Sequence, residues 1–157
     1  MEISIAIITC SDTRALAEDE AGAALAARVH ESGWNLVSHV VVTDDAEAIA
    51  RSIVEAVDGF GSDVVITCGG TGLSPRDVTP EATASVCERD VPGIAEAARA
   101  YSLTKTPRAM LSRGRCMQRG RSLVVNFPGS TKAALENWEA VSGQFEHAVR
   151  MAAGGGH

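Results

Sequence analysis

The 157-residue sequence predicts an α/β protein: a single three-layer αβα domain whose sheet is mostly parallel but carries a β-hairpin. Two observations predict it. Between Ile3 and Cys68, short apolar runs alternate with segments of helical periodicity, the rhythm of a doubly wound sheet. Farther on, two strand-like runs, Arg115–Gln118 and Ser122–Phe127, are joined by Arg119-Gly120-Arg121, which turns a chain back on itself.

In order, residues 3–9 form the first buried strand, followed by the polar stretch from Cys10 to Gly22. A helix then runs to about Ser32, with Leu25 and Val29 on its buried stripe and Gly33 as its stop. Asn35–Val42 is the second strand, and Ile49, Ile53, Val54 and Val57 space a helix over residues 46–58. Asp63 to Cys68 is an apolar run typical of an interior parallel strand. After it come Gly69-Gly70-Thr71-Gly72, a loop through Asp77, and a helix that Thr79 caps and Pro80 begins. That helix reaches about Glu88, and another follows Asp90-Val91-Pro92-Gly93 to Tyr101. Pro107–Arg113 is a loop or short strand. A second strand-loop-helix junction closes the chain at Asn126-Phe127-Pro128-Gly129-Ser130-Thr131-Lys132, with Ser130 or Thr131 as cap. Leu135, Trp138, Val141, Phe145 and Val149 then mark a final helix facing core or interface. The domain spans 1–151, and 152–157 is expected to be a disordered tail.

Composition excludes some functions. A net charge of −6 argues against nonspecific nucleic-acid or membrane-surface binding, and no apolar run is long enough to span a bilayer. The N-terminus opens directly on an apolar strand, so a cytoplasmic location is expected. The four cysteines are dispersed without a CxxC pair, which favours free thiols over disulfides or zinc.

The chemistry concentrates at strand ends. Asp12, Asp44 and Asp77 each follow a strand, where an open α/β sheet binds its ligands. Glycines at 69, 70 and 72 allow backbone amides to close on an anion, and Asp77 adds an acid for a cation. Together they suit a nucleotide that arrives with its metal. On pattern alone the loop reads equally well as a tight strand-to-helix turn. Lys132 sits in the first turn of a helix against the dipole, a placement that makes sense if a phosphate binds there and is otherwise an ordinary solvated lysine. There is no GxxxxGK[ST] and no GxGxxG.

The run Gly69–Ala82, GGTGLSPRDVTPEA, resembles the signature of the molybdenum-cofactor biosynthesis domain in its molybdopterin adenylyltransferase branch. Ser11-Asp12 with Asp19 and Gly22, Thr43-Asp44, Leu111-Ser112-Arg113 and Asn126–Lys132 are similar to its other motifs, in the same order. The departures are Ala21 for a common serine, Thr43 for a common proline and Thr131 for another. The resemblance covers about residues 3–145 and implies the molybdopterin-binding fold and adenylylation of molybdopterin by Mg²⁺-ATP with release of pyrophosphate. It implies Asp44 and Asp77 as catalytic, Mg²⁺-holding residues. The implied substrate-binding residues are Ser11, Asp12, Gly69, Gly70, Thr71, Gly72, Ser112, Arg113, Pro128, Gly129, Ser130 and Lys132, with the nucleotide on the Gly69–Gly72 amides and the pterin phosphate at Ser112, Arg113, Ser130 and Lys132. A homotrimer or higher oligomer and a molybdate-insertion enzyme as partner are also implied. The alternative expectation is a noncatalytic relative that carries molybdopterin or scaffolds a trimer. Retention of both Asp44 and Asp77 counts against it.

Overall fold

The computed structural model describes residues 1–156. Six strands form one sheet in the order β2-β1-β3-β6-β5-β4: β1 Ser4–Cys10, β2 Asn35–Val42, β3 Val64–Cys68, β4 Arg89–Asp90, β5 Cys116–Arg119 and β6 Ser122–Phe127. β2, β1, β3 and β6 are parallel, whereas β5 pairs antiparallel with both β6 and β4. The expected mixed sheet with its hairpin is therefore present. β4 escapes sequence reading because two exposed residues carry no periodicity.

Each central strand is apolar on both faces because each face has its own helical layer. Ile5, Ile7, Val64, Ile66, Val125 and Phe127 point into one core, while Ala6, Ile8, Val65 and Val124 point into the other. The first core is covered by α1 (Glu20–Glu31), α4 (Pro92–Leu103), α5 (Thr131–Val141) and α6 (Phe145–Ala152). The second is covered by α2 (Ala46–Val54) and α3 (Thr79–Val86). Trp34, Trp138 and Phe145 pack together in the first core, with ring centroids 5.6–6.1 Å apart.

Several boundaries differ from expectation. The helix expected over 46–58 is α-helical to Val54 and finishes as a single π turn, Glu55–Gly59. The final helix is divided by a 3₁₀ turn at Ser142–Gln144 into α5 and α6, so Trp138 and Phe145 meet in the core from two axes rather than one. Pro107–Leu111 is a 3₁₀ helix, not a strand, with Thr106 accepting the Arg108 N–H at its start. Ala152 ends α6 inside the expected tail, and His157 lies outside the described residues.

Candidate active site at the switch point of the sheet

From β1 the chain moves outward to β2, and from β3 it runs the other way to β6. The crevice above the C-terminal ends of β1 and β3 is thus the point where winding reverses, the usual ligand site of such sheets. Residues 69–78 enter it from β3, 11–19 from β1 and 128–130 from β6. Two glycines make the convergence possible. Gly69 has φ +105°, and a Cβ there would stand 2.6 Å from the Cys10 carbonyl oxygen. Gly70 has φ +69°, and its Cβ would meet Thr79 Oγ1 at 2.2 Å, with Asp44 Oδ1 at 3.5 Å. Gly70 therefore lets the backbone pass directly over the Thr79 hydroxyl and close to the Asp44 carboxylate, where no side chain would fit.

The loops are tied by their own polar groups. Asp12 accepts from Arg76 Nε at 3.0 Å and Nη2 at 2.8 Å, and from the Asp44 backbone N–H at 2.9 Å. Arg76 and that N–H hold the Asp12 carboxyl below its usual range. Asp44 moves the other way, raised first by burial and then by the negative charges of Asp12 and Asp77. Asp77 accepts the Ser74 N–H at 3.0 Å, which shapes the loop. Arg113 donates through Nε to the Gly72 carbonyl (2.8 Å), through Nη2 to the Asp77 carbonyl (2.7 Å) and through Nη1 to both Glu81 carboxylate oxygens. Nε and Nη2 thus serve the glycine loop, and Nη1 ties the side chain to α3.

Thr79 is placed differently from the sequence expectation. Val78 occupies the cap of α3 and Thr79 is its first residue, fully buried, with Oγ1 unpartnered beside Gly70. The Cys10 thiol lies against this hydroxyl, and both groups are buried.

The second junction abuts the first. A Cβ on Gly129 would lie 3.2 Å from Gly69 Cα, and the Cys68 thiol donates to the Pro128 carbonyl at 3.2 Å. Ser130, not Thr131, caps α5, accepting the Ala133 N–H at 3.3 Å. Lys132 is exposed. Ser112 lines, with Pro128, Arg99, Arg108 and Asn137, a cavity of about 180 Å³ next to this junction. Ser11, Asp12, Asp44, Gly69, Gly70, Thr71, Gly72 and Asp77 thus belong to the crevice. Ser112, Pro128, Gly129, Ser130 and Lys132 form its flank.

Sequence reasoning overlooked Arg14, whose Nη1 donates to the Gly129 carbonyl at 3.2 Å, and Arg76. Asp19, named with Gly22 in the first-loop motif, has partners that the sequence did not reveal. Asp19 caps α1 through the Gly22 N–H at 2.9 Å and accepts from the Thr9 hydroxyl and from His39 Nε2, the latter at 2.9 Å. Burial pushes the Asp19 carboxyl up, but these hydrogen bonds outweigh it and the net is below the ordinary value.

The donor set fits a metal-bound nucleotide. No cluster of three His, Cys, Asp or Glu side chains among the described residues could hold a metal by itself. Asp44 and Asp77 instead stand as two carboxylates beside Gly70 and Gly72, a donor set that phosphate oxygens would complete around Mg²⁺.

A family model described as "probable molybdopterin binding domain" matches residues 6–147. The chain is 35% identical over 156 residues to the molybdopterin adenylyltransferase of Helicobacter pylori strain 26695, covering 97% of this chain and 89% of that protein. It is 36% identical over 134 residues to molybdenum cofactor biosynthesis protein B of Bacillus cereus, covering 84% and 79%. Among solved structures, the molybdopterin biosynthesis enzyme MoaB of Thermus thermophilus superposes with a TM-score of 0.88 at 38% identity, covering 97% of each chain. With the sheet order, the crevice and these matches in agreement, the chain belongs to the molybdenum-cofactor biosynthesis family of molybdopterin-binding domains.

Proposed function

We propose that the protein is a molybdopterin adenylyltransferase. An oxygen of the terminal molybdopterin phosphate attacks the α-phosphorus of ATP, the bond to the β-phosphate oxygen breaks, and pyrophosphate leaves with that electron pair. The observation that carries this reading is the meeting of two carboxylates at the glycine loop, Asp44 beside Gly70 and Asp77 beside Gly72, close enough for Asp77 to raise the Asp44 carboxyl. The names of the relatives in Helicobacter pylori and Haemophilus influenzae support it.

Asp44 and Asp77 are the residues that would hold Mg²⁺, which supplies positive charge against the phosphates and makes the α-phosphorus more electrophilic. The Gly69–Gly72 backbone receives phosphate oxygens, and Arg113 fixes that backbone in place. Ser11 shapes the first loop by accepting the N–H groups of Thr13 and Arg14. Ser112, Pro128, Gly129, Ser130 and Lys132 take the pterin phosphate on the flank. The contact of Gly129 with Gly69 supports placing the two anions side by side, where in-line transfer needs them. Neither aspartate need act as a base, because a phosphate nucleophile is already ionised at neutral pH. The family resemblance adds a homotrimer or higher oligomer, a cytoplasmic setting and delivery of product to a molybdate-insertion enzyme.

The test is incubation with molybdopterin and Mg²⁺-ATP, following pyrophosphate and adenylyl-molybdopterin. Both should appear in equal amounts. Molybdopterin binding without pyrophosphate release would leave the carrier reading in its place.

A further inference from the structure

Three arginines stand at the mouth of the crevice, and their partners differ in kind. Arg14 donates to the Gly129 carbonyl, and Arg113 to the carbonyls of Gly72 and Asp77 and to Glu81. Both are committed at least in part to backbone that shapes a loop. Arg76 is different: its fork lies on the Asp12 carboxylate, with its head also near Asp44 and Asp45. It is the counter-ion of an acidic mouth, one residue before Asp77.

The Asp12–Arg76 pair is weakly anchored. The two side chains are 38% and 62% exposed, and ion pairs this exposed to water hold loosely. A planar guanidinium released from a carboxylate fits two phosphate oxygens in the same bidentate manner. The carboxylates that Arg76 faces, Asp12 and Asp44, border the Gly69–Gly72 loop, where a Cβ on Gly70 would lie 3.5 Å from Asp44 Oδ1.

We propose that Arg76 is the pyrophosphate-binding cation of this site, held on Asp12 until the nucleotide arrives and then transferred to its β- and γ-phosphates. This rests on the adenylyltransferase reading. Arg76 moves by rotation about its own side-chain bonds, and Asp12 keeps the Asp44 N–H as partner. The cation then opposes the charge that accumulates on the leaving pyrophosphate as the α–β bond breaks.

Calorimetry with pyrophosphate plus Mg²⁺, in the absence of molybdopterin, tests this on the full chain. Arg76→Ala should weaken Mg-pyrophosphate binding about tenfold or more while molybdopterin affinity and melting temperature stay near wild type. Asp12→Asn, which frees the guanidinium and retains it, should bind pyrophosphate without Mg²⁺ more tightly than wild type does. Unchanged pyrophosphate binding by Arg76→Ala, or equal losses for pyrophosphate and molybdopterin together with a lowered melting temperature, would make Arg76 a structural clamp and overturn the proposal. If wild type binds neither Mg-ATP nor Mg-pyrophosphate, the adenylyltransferase reading falls and takes this one with it.

Discussion

Arg113 and Gly72, 41 positions apart, are joined by a hydrogen bond of 2.8 Å from Nε to the carbonyl oxygen, so a residue beyond α4 sets the shape of the loop that follows β3. The same guanidinium reaches the Asp77 carbonyl, which bolts both ends of the loop to one rigid plane. Arg113→Lys keeps the charge but cannot make these bonds together. It should cost about 1–2 kcal/mol of stability and weaken nucleotide binding more than molybdopterin binding. Thermal melts paired with ligand titrations check this, and equal weakening of the two ligands would contradict it.

Asp77→Asn retains an oxygen able to accept the Ser74 N–H, so the loop turn should survive. Its loss of charge should lower turnover at least about a hundredfold at saturating Mg²⁺ with molybdopterin affinity nearly unchanged. Wild-type turnover in this variant would remove Asp77 from the metal site.

Asp44 has its ionised form disfavoured in the folded chain, first by burial and then by Asp12 and Asp77. A carboxyl whose folded pKa is raised destabilises the fold once it ionises, at pH above that raised value. Asp44→Asn should therefore melt higher than wild type at neutral pH without ligand. The difference should shrink as pH falls through the raised pKa toward the ordinary 3.8, and catalysis should be lost in the same window as Asp44 takes up its proton. Melting curves of both proteins from neutral pH down to the ordinary carboxylate value give the comparison.

Asp19 carries the opposite sign. Its depressed pKa means that its contribution is present above the ordinary carboxylate value and disappears as pH drops through the lowered one. With its side chain wholly buried and bonded to Thr9, His39 and the Gly22 N–H, Asp19→Ala should cost about 3 kcal/mol. Denaturant unfolding would measure it, and a loss confined to a few tenths would mean water replaces the carboxylate.

Lys132 is exposed at the start of α5, so its contact with an anion stays solvent-screened. Lys132→Ala should lower molybdopterin affinity about fivefold and leave nucleotide affinity alone. Loss of nucleotide affinity instead would reverse the assignment of the two junctions.

The sequence was most readable where a segment's own periodicity decides its environment. β1 and β3 are short continuous apolar runs that only an interior strand buries on both faces, and the helices between them carry a 3.6-residue pattern. Gly69–Asp77 and Pro128–Lys132 were legible as strand-to-helix junctions because a glycine turn between strand and helix is a local feature. The division of the last helix at Ser142–Gln144 was not, because Trp138, Val141 and Phe145 keep helical spacing across the break.

By itself the sequence determined the elements, the two junctions and the acids at the strand ends, since each is a property of a few consecutive residues. Only the tertiary structure decided which groups meet. Gly69 lies on Cys10 and Gly129 on Gly69 because β3 is seated between β1 and β6, a choice of sheet order made by the whole core. Arg76 has Asp12, Asp44 and Asp45 within its field, and nothing in their spacing selects Asp12 for its fork. Thr79 looks like a helix cap to any local rule, yet packing turns its hydroxyl inward beside Gly70 and leaves it unpartnered. Burial and pairing across distant segments depend on where the chain closes its core, and residues far apart in sequence carry no local record of that closure.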